Sequence, residues 1–230
     1  MIWRYPFISI FLFILLLLFF SGCKKIPVIK EGTYFLVKSE SPPGSAPGSD
    51  LFVYDSLGRL TGYISGQLYI YRPGMILGMY KGLVVDTFFL NSQGLVSQDK
   101  GPNEFYVYNT DGYMVQYYQP SPTELFTVVL TISGGNLLSK VRKDSTFNDG
   151  HIICDTSLYT YYSDYETRNF GKAAWGRSNR NLMKTETLLS QWASMHGYSY
   201  DDYGRIITET TSTEDVKNNF LGTGSITFGY

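Results

Sequence analysis

Tyr198-Ser-Tyr-Asp-Asp-Tyr-Gly-Arg-Ile-Ile-Thr208 reads as an aromatic strand, a tight turn and a return strand, and the same unit recurs along the chain. Counted from its first aromatic, the unit has apolar residues at +0 and +2, Asp or Asn at +3, Gly at +6 and an apolar residue at +8. Phe52-Val-Tyr54-Asp55-Ser-Leu-Gly58-Arg59-Leu60 fits, as do Phe88-Phe-Leu90-Asn91-Ser-Gln-Gly94-Leu95-Val96 and Tyr106-Val-Tyr108-Asn109-Thr-Asp-Gly112-Tyr113-Met114. A fifth, weaker copy runs from Leu130 through Ile132 and Ser133 to Asn136 and Leu138, with Asn136 in the glycine's place.

The spacing has a physical reason. Asp or Asn opening a turn accepts backbone hydrogen bonds from residues further on, and a fourth-position Gly takes positive φ without a Cβ penalty. Asn tolerates that conformation next best, which accounts for the fifth copy. Pairing across each turn predicts Tyr54 opposite Leu60, Tyr108 opposite Met114 and Tyr200 opposite Ile206 on one face, with Val53 and Thr61 sharing the other. Each such aromatic-aliphatic pair contributes about 0.2–1 kcal/mol. Turn signals every eight to twelve residues predict an all-β antiparallel meander of many short hairpins, forming a strongly curved sheet or barrel over residues 33–230.

Ahead of the meander, the apolar run Phe7 to Phe20 follows Arg4 and precedes Phe20-Ser21-Gly22-Cys23. It is too short for a bilayer-spanning helix, which takes about 20 apolar residues, and small residues precede the cleavage point. Residues 1–22 therefore read as a signal peptide, and the last four resemble a lipoprotein box in which Cys23 takes the lipid. Residues 23–32 form the lipidated tether. By the sorting rule known for some bacteria, the absence of Asp after Cys23 favours the outer membrane. Lys24-Lys25, opposite in sign to a surface-display signal, favours its periplasmic face. The expected partner is thus the membrane, through an N-terminal lipid anchor.

A formal net charge of −1 with scattered basic residues excludes a nucleic-acid footprint, which needs a basic stripe. Besides Cys23 the chain has Cys154 alone, expected as a small buried apolar residue. His151 lies three residues away, on the opposite face of a strand. With His151 and His196 as the two histidines, no Gly-x-Ser-x-Gly elbow and no phosphate-cradling loop, neither a metal site nor a cofactor nor a catalytic constellation is expected. Asp201 and Asp202 are accounted for by the turn. The protein is expected not to be an enzyme.

Along the meander, Thr33 to Val37 reads as a strand and Ser39 to Asp50 as a loop. Leu68 to Tyr71, Met75 to Tyr80, Leu83 to Leu90, Leu125 to Ile132, Leu137 to Phe147 and Ile152 to Tyr162 read as further strands. Thr185 to Met195 reads as strand or short helix, and Ser225 to Tyr230 as a closing strand. Residues 163 to 183 break the rhythm. They hold Phe170, Trp175 and Leu182 in a segment otherwise suited to water, which predicts either a packed plug against one mouth of the sheet or a mobile lid.

The Tyr198-x-Tyr200-Asp201-x-x-Gly204-Arg205 unit resembles the YD repeats of Rhs-type proteins. Together with the lipobox and the preceding Gly171, Lys172, Ser178, Asn181 and Leu182, it resembles a family of uncharacterised Gram-negative lipoproteins of unknown function with a porin-like fold. The resemblance implies a many-stranded antiparallel barrel and no activity. Two functions then compete: a barrel holding an apolar ligand or scaffolding an envelope assembly, and a module that binds glycan or protein through exposed Tyr and Trp. Tyr63, Tyr69, Tyr71, Tyr117, Tyr118, Tyr161 and Tyr162 decide between them by lining a cavity or paving a surface.

Overall fold

The computed structural model describes residues 34–41, 50–146, 150, 152–189, 191–215 and 221–230. The expected signal peptide, Cys23, the tether and His151 lie outside these residues. The strands are β1 (Phe35–Leu36), β2 (Ser39–Ser41), β3 (Asp50–Tyr54), β4 (Leu60–Tyr63), β5 (Gln67–Arg72), β6 (Met75–Tyr80), β7 (Leu83–Leu90), β8 (Val96–Asp99) and β9 (Glu104–Tyr108). They continue as β10 (Met114–Pro120), β11 (Glu124–Ser133), β12 (Asn136–Thr146), β13 (Ile152–Tyr165), β14 (Arg168–Asn169), β15 (Asn181–Leu188), β16 (Trp192–Tyr200), β17 (Ile206–Asp215) and β18 (Leu221–Gly229). Every strand but β1 and β14 joins one closed antiparallel barrel, sealed where β18 pairs with β2.

The four strong repeats fold as hairpins of one design. Gly58, Gly94, Gly112 and Gly204 have φ of 71°, 77°, 83° and 77°. In each turn the Asp or Asn oxygen accepts two backbone N–H groups: Leu57 and Arg59 at Asp55, Gln93 and Leu95 at Asn91, Asp111 and Tyr113 at Asn109, Tyr203 and Arg205 at Asp201, all at 2.9–3.1 Å. Tyr54 pairs with Leu60, Leu90 with Val96, Tyr108 with Met114 and Tyr200 with Ile206. The hydrogen-bonded turn and the apolar pair beside it thus set each other's register.

One residue further on, the expected register fails in the same way each time. Val53 pairs with Gly62, Phe89 with Gln98, Val107 with Gln116 and Ser199 with Thr208, so Thr61, Ser97, Val115 and Ile207 are β-bulge residues. An extra residue reverses the alternation of faces beyond it. Tyr63, Asp99, Tyr117 and Glu209 therefore share the inner face with Leu60, Val96, Met114 and Ile206. The fifth copy is corrected as well. Ser133 pairs directly with Asn136, and Gly134 and Gly135 carry the positive φ of 58° and 82°, so it is a two-residue hairpin.

Two other expectations change. Residues 185–195 are neither one strand nor a helix but parts of β15 and β16, joined by a hairpin. Ser39–Ser41 is a barrel strand rather than the start of a loop, because β18 needs a partner to close the ring. Antiparallel neighbours put successive connections at alternate ends. The four repeat turns, the Pro73-Gly74 and Gly134-Gly135 turns and residues 166–180 consequently meet at one end, called here the turn end. The core lies inside the barrel near it, as two clusters, one on Val37, Leu182, Ile206 and Phe228 and one on Ile76, Phe88 and Val96.

Candidate functional site

Residues 166–180 leave the wall between β13 and β15 and are fixed by their own backbone to the turns around the mouth. The Gly171 carbonyl accepts the Leu60 N–H at 3.1 Å, the Arg177 N–H donates to the Gly112 carbonyl at 2.9 Å, and the Arg180 N–H donates to the Gly135 carbonyl at 2.8 Å. β14 adds a short parallel pairing to β1, with the Phe35 N–H donating to the Thr167 carbonyl at 2.8 Å. Gly171 has φ +65°, and a Cβ there would lie 2.7 Å from both the Gly58 oxygen and the Leu60 nitrogen. The repeat turns are thus the seat on which this segment rests.

Its large side chains point into the barrel. Phe170 packs on Phe52 and Phe228 with ring centroids 5.8 and 6.2 Å apart, and Trp175 on Phe88 and Tyr69 at 5.4 and 5.9 Å, all edge-on or tilted. Such ring pairs contribute about 0.5–1.5 kcal/mol each beyond the area they bury. Trp175 keeps some exposure, and Leu182 is fully buried. The packed plug, not a loose lid, describes this geometry.

Behind the plug lies a charged network with no forerunner in the sequence reading. Arg168 binds Glu166 through Nη2 at 2.7 Å and through Nε at 2.9 Å, and its Nη1 donates to Glu209. Glu209 also meets His196 Nδ1 at 2.9 Å and accepts from the Tyr198 hydroxyl at 3.3 Å. The guanidinium sits 4.8 Å from the Phe228 ring centroid. Burial alone would raise the Glu209 pKa, but hydrogen bonding from His196 and the Arg168 charge outweigh it and hold the carboxyl at about 2. The buried Nε2 of His196 has no partner. Glu166, Arg168, Asn179, His196, Tyr198 and Glu209 line a cavity of about 270 Å³.

A second carboxylate pair faces inward from β7 and β8. Burial, followed by the hydrogen bond and charge of Asp86, raises the Asp99 pKa to about 7. The Gly101 N–H donates to both carboxylates at 3.1 and 3.0 Å. Among the described residues no group of three or more His, Cys, Asp or Glu could hold a metal ion.

The deciding tyrosines divide unevenly. Tyr63 and Tyr69 touch each other at 6.3 Å inside the barrel, Tyr71 packs on the Ile76 cluster, and Tyr117 lies against Tyr106 and Phe126 at 6.3 and 5.8 Å. Tyr162 packs on Tyr198 at 6.2 Å and Tyr161 donates to the Leu137 carbonyl at 2.7 Å. Tyr118, one residue on from Tyr117, faces outward and stacks on Phe105 at 5.2 Å. The set mainly lines the interior. Cys154 is exposed on the outer face of β13, not buried as expected, because the register pairs it with the outward Lys143.

No family model matches the chain, and no curated protein is significantly similar to it. Among solved structures it resembles a porin-like protein from Bacteroides uniformis, with a TM-score of 0.60 and 16% identity over 83% of this chain and 95% of the other. A porin-like protein from Bacteroides vulgatus is also similar, with a TM-score of 0.48 and 13% identity over 85% and 99%. At this identity the first likeness is one of fold. The all-β barrel expected from the repeat is the fold of this chain, and it is porin-like, as the family resemblance implied.

Proposed function

We propose that the chain is a lipid-anchored cell-envelope protein, joined through Cys23 to the periplasmic face of the outer membrane, and that its barrel holds a ligand with an apolar body. The observation that carries the reading is the combination of a plugged end with a lumen lined by tyrosine and phenylalanine rings. Sixteen strands make a barrel wide enough to leave interior space. Inward rings such as Tyr69, Tyr106, Tyr117 and Phe126 stay partly exposed, as the lining of an incompletely filled interior would. A plug closing one mouth suits retention better than passage. Surface recognition of glycan through Tyr and Trp has less support, since Trp175 and most of the deciding tyrosines face inward. The kinship of the hairpins with YD repeats is part of the same proposal.

The anchor and the holder are tested separately. Mass spectrometry of membrane-extracted protein should show a lipid-modified peptide beginning at Cys23, and Cys23→Ala should release the protein from the membrane. Organic extraction of the folded protein should then yield a bound amphiphile beyond the anchor. Titration with palmitate should change Trp175 emission in a Trp192→Phe background. A soluble, unmodified wild-type chain would overturn the anchor. Empty protein whose Trp175 ignores palmitate would overturn the holder.

A further inference from the structure

The barrel is polarised in the reverse of the usual sense for a protein surrounded by water. Many of its charged side chains lie inside: Asp86 is on the inward register opposite Gly78, Glu104 meets Tyr106, Arg142 the Phe126 ring, Glu186 Tyr159 and Glu209 His196, while Lys143 and Glu214 face outward on β12 and β17. On the outer face the register carries Leu68 opposite Met79, Ile70 opposite Leu77, and Phe105 opposite Tyr118. From β5 to β11 the outward positions bear no ionised group except Arg72, at the turn-end tip of β5. Leu68, Ile70, Val107 and Val129 are 49%, 39%, 42% and 42% exposed, and the polar residues that face outward among them, Thr87, Gln98, Gln116 and Thr127, are uncharged.

The opposite wall differs in kind. Thr187, Thr210, Ser212, Ser225 and Thr227 are among its outward positions over β15 to β18, together with the charged Glu214 and with Ala193 and Met195. Hydroxyls there can be hydrated at no cost, whereas the β5–β11 wall asks for an apolar neighbour.

We propose that the outer wall formed by β5 to β11 rests in the lipid of the bilayer, with the Ser/Thr wall turned to water. Strands of four to eight residues, as in β5 to β10, cannot cross the hydrocarbon, which takes about 9–11 residues per strand. The contact is therefore shallow and confined to one leaflet, in the manner of an interfacial face. The hairpin between β6 and β7 fits its edge. Val84, 55% exposed, continues the outward register opposite Met79, whereas Tyr80 and Leu83 pair on the inward register of Ile76 and Gly78. Residues 24–33 span at most about 35 Å when extended, so the barrel stays near the bilayer. This last point rests on the anchor proposed above, whereas the reversed polarity of the barrel does not.

The test uses the full lipidated protein in vesicles of phosphatidylethanolamine and phosphatidylglycerol that contain a doxyl-labelled lipid. In a Cys154→Ser background, Val107→Cys and Thr210→Cys are each labelled with bimane; both positions are exposed, so folding is not at stake. The label at 107 should lose emission at least about twofold, since an interfacial face sits about 5–10 Å into the acyl boundary, and the label at 210 should be unchanged. Equal emission loss at both positions, or none at either, overturns the proposal. So does a label at 107 shielded by a second copy, seen as a doubled sedimenting mass without lipid quenching. Mass spectrometry of Cys23 in the same sample separates failure of the anchor from failure of the wall contact.

Discussion

The two ends of the barrel are built on different principles. At the turn end, short turns are tied through a plug: Gly58, Gly112 and Gly135 each lie against residues 171–180, and three backbone hydrogen bonds cross between turn and plug. At the other end a connection such as Lys81-Gly82 has backbone just as unusual, with φ of 50° and 80°, yet a Cβ on Gly82 would meet nothing within 4 Å. The same left-handed conformation is a docking requirement at one end and a turn requirement at the other.

Paired glycine substitutions break this comparison most sharply. Gly171→Ala adds both the cost of a left-handed Cβ, about 1–2 kcal/mol, and overpacking against the first repeat's backbone, about 1–3 kcal/mol. Gly82→Ala should show the first cost alone. If urea midpoints fall equally for the two, the plug is not seated on Gly58 and Leu60.

Trp175→Ala should come next, at about 2–4 kcal/mol, below the full cost for a buried Trp because the ring keeps some exposure. In a domain of this size that lowers the thermal midpoint by roughly 5–15 °C. An unchanged midpoint, with Trp175 emission freely quenched by iodide, would restore the lid.

A smaller effect is expected from acid. Glu209 titrates at about 2 when folded against an ordinary 4.5, so its contribution is full above about 4.5 and is lost as pH falls through 2. Melting followed between pH 6 and 2 should show this loss, and Glu209→Gln should flatten it. A wild-type midpoint insensitive to that interval would mean that Arg168 does not hold the carboxylate as the geometry indicates.

Smallest of all is Asp201→Asn. The amide oxygen can still accept from Tyr203 and Arg205, as Asn91 and Asn109 do in their turns. What goes is the half-exposed ion pair with Arg205, worth under about 1 kcal/mol. A loss comparable to that of Gly204→Val would place the turn's stability in charge rather than in backbone geometry.

Much of the fold was legible because turn chemistry is local. Asp or Asn at one position and Gly three later dictated four hairpins and their apolar pairs, with Tyr200 and Ile206 as expected. The interior was legible only up to the bulge. Counted from Ile206 by strict alternation, Glu209 faces water and Thr208 faces in; the extra residue at Ile207 reverses both. Nothing in Ile206-Ile207-Thr208 announces a bulge by itself, yet the recurrence of a turn followed by a face change at Tyr63, Asp99 and Tyr117 is a signal that comparing the repeats could have exposed. Arg168 lay in the arrhythmic segment, where no period assigns a face. Phe170 and Trp175 were legible as packing residues because their apolar area has to be covered somewhere.

Hydrogen exchange at three amides tests the central claim, that residues 166–180 are a structural plug seated on the repeat turns. Leu60, Arg177 and Arg180 each donate across the plug-turn boundary. A seated plug opens only with the barrel, so these amides should exchange as slowly as the paired amides of β16 and β17, and Gly171→Ala should speed all three together. Exchange at the rate of exposed turn amides, with the β16 and β17 amides still protected, would contradict the account.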